Sequence, residues 1–362
     1  MHPPTTPPTG DYHPDALDAR WRPWWESLAL HAPAPTLSPD TLNHLWRASK
    51  FVLMHIEPWQ PHPWELDALR LAPADRWILH RFDALLASLS TAATQAERLA
   101  DLERWLRRDW CTWYIELSKP VLYETEALAP LGGEVASSRA VLAHMTGWVM
   151  RLIAPYAPQL AEAIWQNLPA PCRAPWVSVL LASSPSPVTT GRFDASSRAV
   201  ELLIEVLSAL LAIRRDAGLG QLEHIPRVAT RVTEEQRAAL SGLLPYIHSI
   251  ARPRDLTLTT GEGEKEPPGA RRAETPSGVG LVVELVELDA LERDAARLRR
   301  ELGEVEEAMG YVRARLENPL FLERAPADVV ANERERYSDL RDRQDALQEE
   351  LEGVDAWIHA RA

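Results

Sequence analysis

Leu316-Glu-Asn-Pro-Leu-Phe-Leu-Glu-Arg-Ala-Pro-Ala-Asp-Val-Val330 is a Pro-interrupted break between two long heptad runs. Before it, apolar or small residues fall at Leu288, Leu291, Ala295, Leu298, Leu302, Val305, Met309, Val312 and Leu316. Their spacing alternates three and four without interruption, the seam of a coiled coil. After it the seam resumes at Val330, Tyr337, Leu340, Leu347, Leu351, Val354 and Ile358. Two seams joined by a short break predict an antiparallel hairpin over 287–362. With roughly 29 residues per arm at 1.5 Å each, it would reach ~40 Å.

Working outward, 362 residues at 46% hydrophobic allow two or three domains with a sizeable core. The formal charge of −13 argues against a generic nucleic-acid binder, since phosphate contacts need clustered cations. Any RNA contact must therefore rest on local patches. Lysine occurs only at Lys50, Lys119 and Lys265, the other cations being arginine. A GC-rich genome accounts for such a bias, and so does a need for bidentate phosphate contacts. Cys111 and Cys172 offer neither metal spacing nor a disulfide framework, which predicts a reducing cytosol. No apolar run reaches the ~18 residues of a membrane span, and the first residues do not read as a signal peptide.

The predicted fold is mainly α. Residues 1–40 read as a disordered tail over 1–10, a short amphipathic helix from Asp11 and a Pro-rich linker over 31–39. A helical bundle follows over 41–195. Its helices are expected at 41–56 (capped by Ser38 or Asp40), 74–89, 91–117 (stopped by Pro120), 135–152 and 159–168. Residues 196–286 read as a helix over 196–217 and a small α/β piece. Its strands are expected at 228–232, 256–259 and 280–286, with helices at 234–244 and 244–251 between them. The charged Pro/Gly stretch 261–278 is expected to be a mobile loop.

The hairpin resembles the C-terminal tRNA-binding arm of valyl-tRNA synthetases. The matching residues are Asp289, Glu292, Arg297-Leu298-Arg299-Arg300-Glu301-Leu302, Leu316-Glu317-Asn318-Pro319 with Phe321, Ala325-Pro326, and Val329-Val330 before Glu333-Arg334. The bundle resembles the anticodon-binding domain of class I synthetases of the valine, isoleucine and leucine group. That likeness rests on Leu45-Trp46-Arg47-Ala48-Ser49-Lys50-Phe51-Val52-Leu53-Met54 and Ala74-Asp75-Arg76-Trp77-Ile78-Leu79. It continues in Trp110-Cys111-Thr112-Trp113-Tyr114-Ile115-Glu116, where Thr112 stands for the family's acidic residue and Trp110 for its Phe. Arg151-Leu152-Ile153-Ala154-Pro155-Tyr156-Ala157-Pro158 with Glu162, Ile164 and Trp165, then Ile213-Arg214-Arg215, extend it. Tyr12, Pro14, Arg20-Trp21 and Trp25 resemble the start of a valyl-tRNA synthetase, which suggests an internal excision of the catalytic and editing domains.

The resemblance implies tRNA, valine tRNA first, as partner. It does not bring the family's chemistry with it. His55-Ile56 is followed by Glu57-Pro58 and not by Gly-His, and three lysines leave no Lys-x-x-Lys pair. No GxGxxG, P-loop or HExxH occurs, so no catalytic residue, cofactor or metal is expected. The expectation is a non-catalytic, tRNA-binding relative of valyl-tRNA synthetase. The alternatives are a protein–protein module that joins a synthetase or itself through the coiled coil, and the non-catalytic part of a split ligase.

Candidate RNA contacts are Arg293, Arg297, Arg299, Arg300, Arg313 and Arg315 on the arm, with Arg214, Arg215 and Lys119 elsewhere. A ladder of arginines suits phosphates along a backbone. Against it, residues 284–362 hold 12 arginines and 21 acids, and the acids concentrate toward Asp345–Asp355. Trp105, Trp110, Trp113 and Tyr114 could stack on an unpaired base, but helical spacing favours the core. Cys111 in that aromatic helix reads as a small hydrophobe, not a nucleophile.

Overall fold

A computed structural model describes residues 10–28, 30, 37–123, 133–189, 191–220, 222–261, 270–285 and 288–359. Residues 1–9 of the expected tail over 1–10, most of the 31–39 linker and residues 262–269 of the expected mobile loop lie outside the described residues. The chain is mainly α with one small mixed sheet. It divides into two compact units, 1–208 with 235–251, and 209–234 with 252–362. The division falls inside a helix, not at the expected start of the α/β piece.

The first unit begins with α1 (Pro14–Ser27) and α2 (Pro39–Ile56). Pro39 at the first position and the Ser38 hydroxyl, which accepts from the Thr41 amide at 3.4 Å, start α2. Then come α3 (Pro73–Thr91), α4 (Gln95–Trp105), a π-helical segment (Leu106–Tyr114) and α5 (Ile115–Leu122). The helix expected over 91–117 differs at both ends. It starts later because Thr94 and Glu97 form a reciprocal cap. It runs through Pro120 because Leu117, Ser118, Pro120, Val121 and Leu122 are all buried, so packing outweighs the missing amide. Helices α6 (Val135–Ile153), α7 (Pro158–Trp165) and α8 (Ala170–Arg173) complete the bundle with the start of α9 (Asp194–Asp216).

The expected N-terminal helix is part of this core, not an appendage. Trp21, Trp24 and Trp25 are buried. The Trp25 indole donates to Glu162 at 3.2 Å, and Gln159 of α7 donates to Asp18 at 3.0 Å. Burying three indoles outweighs the Pro-rich flanks that set this short helix apart from the bundle in the sequence.

In the second unit β1 (Ile225–Arg231) is central. The chain then passes through α10 (Glu234–Ser241) and α11 (Leu244–Ile250), which apart from Glu234 belong to the first unit, before β2 (Pro253–Thr259), β3 (Arg271–Glu274) and β4 (Gly280–Glu284). The sheet order is β2-β1-β4-β3. Strands β1 and β2 are parallel, which needs the long connection that α10 and α11 supply. The other pairs are antiparallel. Strand β3 corrects the expectation of a loop over 261–278. Its sequence Arg-Arg-Ala-Glu lacks β-branched residues, and pairing with β4 makes it an edge strand despite that composition.

Finally α12 (Leu288–Leu316), α13 (Pro319–Arg324) and α14 (Ala327–His359) form a helical hairpin. The break predicted at Leu316–Val330 holds a short helix of its own. Cross-pairs Arg299–Asp355, Glu306–Gln344 and Arg315–Glu333 run in opposite directions along the two rods, so the hairpin is antiparallel.

Candidate nucleic-acid interface

In the bundle the motif residues are spent on structure. The Asp75 carboxylate accepts from the Ala72 amide (3.0 Å), the Tyr114 hydroxyl (2.9 Å) and the Ser138 hydroxyl (2.7 Å). Burial pushes its carboxyl above the ordinary range, and the three donors oppose that shift. Glu162 has a similar position. Burial raises it, while Ser178, Gln166 and Trp25 donate to it. A third network joins Arg81 and Arg108 to Asp109, with Arg108 and the Trp77 indole on Glu201. Burial alone would raise Glu201, but the bonds from Arg108 and Trp77 outweigh it and hold this carboxyl low. None of these carboxylates faces an open nucleophile or a metal-like cluster, and they act as anchors between helices.

The aromatic run settles as core. Trp105, Trp110 and Tyr114 are buried, and Trp113 is half-buried. Burial pushes the Cys111 thiol up, and that of Cys172 to about 12, so neither is an activated nucleophile. Exposed aromatic surface in the bundle lies elsewhere. Tyr123 is 57% exposed, and Phe51 and His55 lie beside it on α2, with ring centroids 4.0 Å apart. Sequence reasoning missed this group, although the basic and aromatic run from Arg47 to His55 could have signalled it.

The candidate cations separate into three kinds. Arg214 is buried and donates to the Gly220 carbonyl at 2.6 Å, closing the turn after α9. Its guanidinium therefore serves the fold, a correction to its place among RNA contacts. Lys119 is half-buried, 2.5 Å from Glu116. Arg215 is exposed, beside Asp216 at 3.3 Å.

On the hairpin, Arg297 is held between Asp294 (2.6 Å) and Glu301 (3.0 Å), whose hydrogen bonds raise its affinity for its proton. Arg299 pairs across the hairpin with Asp355 at 2.5 Å. Arg315 pairs with Glu333 at 2.5 Å and lies 4.7 Å from the Phe321 ring centre. Arg299 and Arg315 tie the two helices in register, whereas Arg297 is held within its own helix. Arg313 makes one long contact, 3.8 Å to Glu317. Arg293 and Arg300 are exposed with no ion pair among the described residues, and seven residues' separation puts them on one face.

Four further arginines were not foreseen. Arg334, Arg336, Arg341 and Arg343 of α14 are exposed, again without an ion pair among the described residues. Each pair spaced by seven shares a face. Between 330 and 344 four arginines balance four acids, whereas 345–359 has five acids and no arginine. The half of α14 nearer the turn thus presents unpaired guanidinium groups, and the other half presents carboxylates. The concentration of acids toward Asp345–Asp355 was legible in the sequence, but which arginines lack a partner was not.

Comparisons with known proteins agree with the two halves of this description. Residues 75–229 match the anticodon-binding domain of tRNA ligase, and residues 290–355 match the valyl tRNA synthetase tRNA-binding arm. A valine–tRNA ligase from Geobacter sulfurreducens is 32% identical over 317 residues, covering 86% of this chain and 34% of that protein. The Symbiobacterium thermophilum enzyme is 30% identical over 344 residues (90% and 37%), and that of Bacillus subtilis 27% over 313 (85% and 34%). The chain spans about a third of the length of the curated relatives it matches.

Proposed function

Because the chain carries two domains of the valyl-tRNA synthetase family, we propose that it binds tRNA, valine tRNA first, and does not charge it. The observation that carries this reading is the pairing of an anticodon-binding domain with a tRNA-binding arm in 362 residues that contain neither class I signature. Arg334, Arg336, Arg341 and Arg343 of α14 and Arg293 and Arg300, exposed and without an ion pair among the described residues, support it, since such a guanidinium can take a phosphate. Cytosol is the proposed compartment, in keeping with two free cysteines.

A mobility-shift titration with valine tRNA tests the binding. A complex at low salt that weakens linearly in log salt is expected. No complex at low salt would defeat the proposal. Pyrophosphate exchange with valine and ATP tests the second half, and robust exchange by the pure chain would overturn it.

A protein partner, a synthetase or a second copy, is the rival reading. The acids of α14 from Asp345 to Asp355 favour it, because they repel RNA and suit a basic protein surface. Light scattering and co-purification distinguish the two, as a monomer without a protein partner removes the rival.

A further inference from the structure

Where the connection from α2 to α3 meets the start of α9, the bundle has an open cavity of about 330 Å³. Arg70, Arg76 and Arg192 line it, with one acid, Asp67, among the described residues of its wall. In a chain of formal charge −13 this gathering of cations runs against the average. The rest of the wall is apolar, from Leu66, Leu69, Leu71 and Phe193. Small-molecule sites are typically clefts of ~300–1,000 Å³, mostly apolar, with a few convergent polar groups.

The three guanidinium groups keep donors to spare. Arg76, in the first turn of α3, is half-buried, and its Nε and Nη2 donate to the Leu71 carbonyl at 3.2 and 2.8 Å. It has no ion pair among the described residues, so a neutral group holds this cation in the wall. Arg192 pairs with Asp67, and its guanidinium carbon lies 5.7 Å from the Phe193 ring centre. Arg70 stands 3.3 Å from Glu134, which precedes α6 and is outside the wall. The Asp67 and Glu134 side chains are 86% and 54% exposed. Pairs so open to water are weak and exchange readily for another anion. A guanidinium has five N–H donors, and none of these three spends them all. A purely structural role accounts for the bond from Arg76 to Leu71. It does not account for two exposed arginines converging with it on an apolar wall.

We infer that this cavity binds a small organic phosphate ester. Arg70, Arg76 and Arg192 take the phosphate oxygens, for which the guanidinium fork is suited. Leu66, Leu69 and Phe193 cover the body of the ester. Three guanidinium groups less Asp67 leave a charge of +2 in the wall. That matches the roughly −1.5 to −2 of a phosphate monoester at pH 7 better than the single charge of a carboxylate. The apolar wall favours a compact ligand over a polynucleotide, whose backbone brings sugar and phosphate alone. The inference does not depend on the tRNA-binding reading.

Phenyl phosphate, inorganic phosphate and benzoate are titrated calorimetrically into the full chain, native and as Arg70→Gln/Arg192→Gln and Phe193→Ala. The native protein should bind one phenyl phosphate per chain, more tightly than either of the other two. The double variant should lose at least about tenfold in affinity for both phosphates. Phe193→Ala should weaken phenyl phosphate at least about threefold and leave inorganic phosphate unchanged. Arg70 and Arg192 are exposed, so their variant keeps the test valid if Phe193→Ala disturbs the fold. Absence of saturable binding by the native chain, or unchanged affinity in the folded double variant, would overturn the inference. Equal affinity for phenyl phosphate and inorganic phosphate would also overturn it, because the apolar wall would then play no part. If valine tRNA displaces phenyl phosphate and the double variant loses tRNA affinity in step, the three arginines are an RNA contact and the small-ligand site falls.

Discussion

In the bundle, Trp77, Trp110 and Trp165 have no exposed surface, and carboxylates such as Asp75 and Glu162 are locked among three donors each. In the hairpin, the buried cluster is Leu298, Val305 and Leu347, with Leu302, Met309, Leu340, Leu351 and Val354 partly covered. Polar residues stand even in its seam. Glu333 and Gln344 occupy heptad positions and pair across to Arg315 and Glu306. A two-helix rod has one narrow buried stripe, so it gains less apolar burial per residue than a bundle. It holds register through polar pairs and leaves most of its surface for contact. The bundle has the reverse allocation, with its charged groups drawn inward as anchors.

The largest expected effect tests that contrast. Trp165→Ala removes a fully buried indole and should cost about 3–5 kcal/mol of bundle stability. Leu298→Ala should cost about 2–3 kcal/mol, and the loss should be confined to the hairpin. Thirteen of the 14 tryptophans precede residue 177, and only Trp357 lies on the hairpin. Urea denaturation followed by tryptophan fluorescence therefore reports the bundle, and circular dichroism reports both. Fluorescence midpoints that move equally for the two variants would contradict the contrast.

Next in size is Asp75→Ala. It strands the Ala72 amide and two buried hydroxyls, Tyr114 and Ser138, which should cost on the order of 3 kcal/mol. Asp75→Asn retains one acceptor and should lose less. Equal midpoints for Asp75→Asn and Asp75→Ala in the same denaturation would show that the accepting oxygens are not what matters.

How much of this was legible beforehand follows the same contrast. A hairpin seam is local and periodic, so the clustered positions Leu298, Leu302, Val305, Met309, Leu340, Leu347, Leu351 and Val354 could be assigned from spacing alone. Helix starts were legible where the cap is local, as at Ser38. What depends on distant partners was not. The α1 segment read as a short helix outside the bundle because the partners of Asp18 and Trp25, Gln159 and Glu162, are more than a hundred residues away. Strand β3 was hidden because an edge strand needs only a neighbour, here β4. Arginine roles were the hardest to read, since composition does not tell whether a guanidinium is engaged. Arg214 was chosen and is buried, whereas Arg334 and Arg341 were overlooked and are free of ion pairs among the described residues.

That last difference can be tested on the hairpin without disturbing its seam. Arg334→Gln/Arg336→Gln/Arg341→Gln/Arg343→Gln changes only exposed side chains, so stability should stay within about 0.5 kcal/mol. Binding of intact tRNA should weaken roughly tenfold, and the slope of log affinity against log salt should fall by roughly 0.7–0.9 for each phosphate no longer neutralised. The corresponding change at Arg297 and Arg299, already paired with acids, should alter the slope less. Equal slopes for the two variants would break the proposed division between free and engaged arginines.

The smallest effect belongs to the bundle and concerns pH. His144 is buried on α6, its ring edge-on to Trp59 and Trp64, with Nε2 3.0 Å from the His62 carbonyl. Burial holds its imidazole below the ordinary 6.5, since a charged ring would lose water there. The folded protein therefore keeps His144 neutral at a pH where the unfolded chain has already taken up a proton. Unfolding then binds protons, so the contribution is complete above pH 6.5 and is lost as pH falls through the folded value. His144→Gln keeps a donor for the His62 carbonyl and removes the titration. Midpoints of tryptophan-monitored urea unfolding between pH 5 and 7 should fall less steeply with acid for this variant than for the native chain. Parallel midpoint curves would mean that the buried ring is not what the acid reaches first, and hairpin helicity over the same range should be indifferent to the substitution.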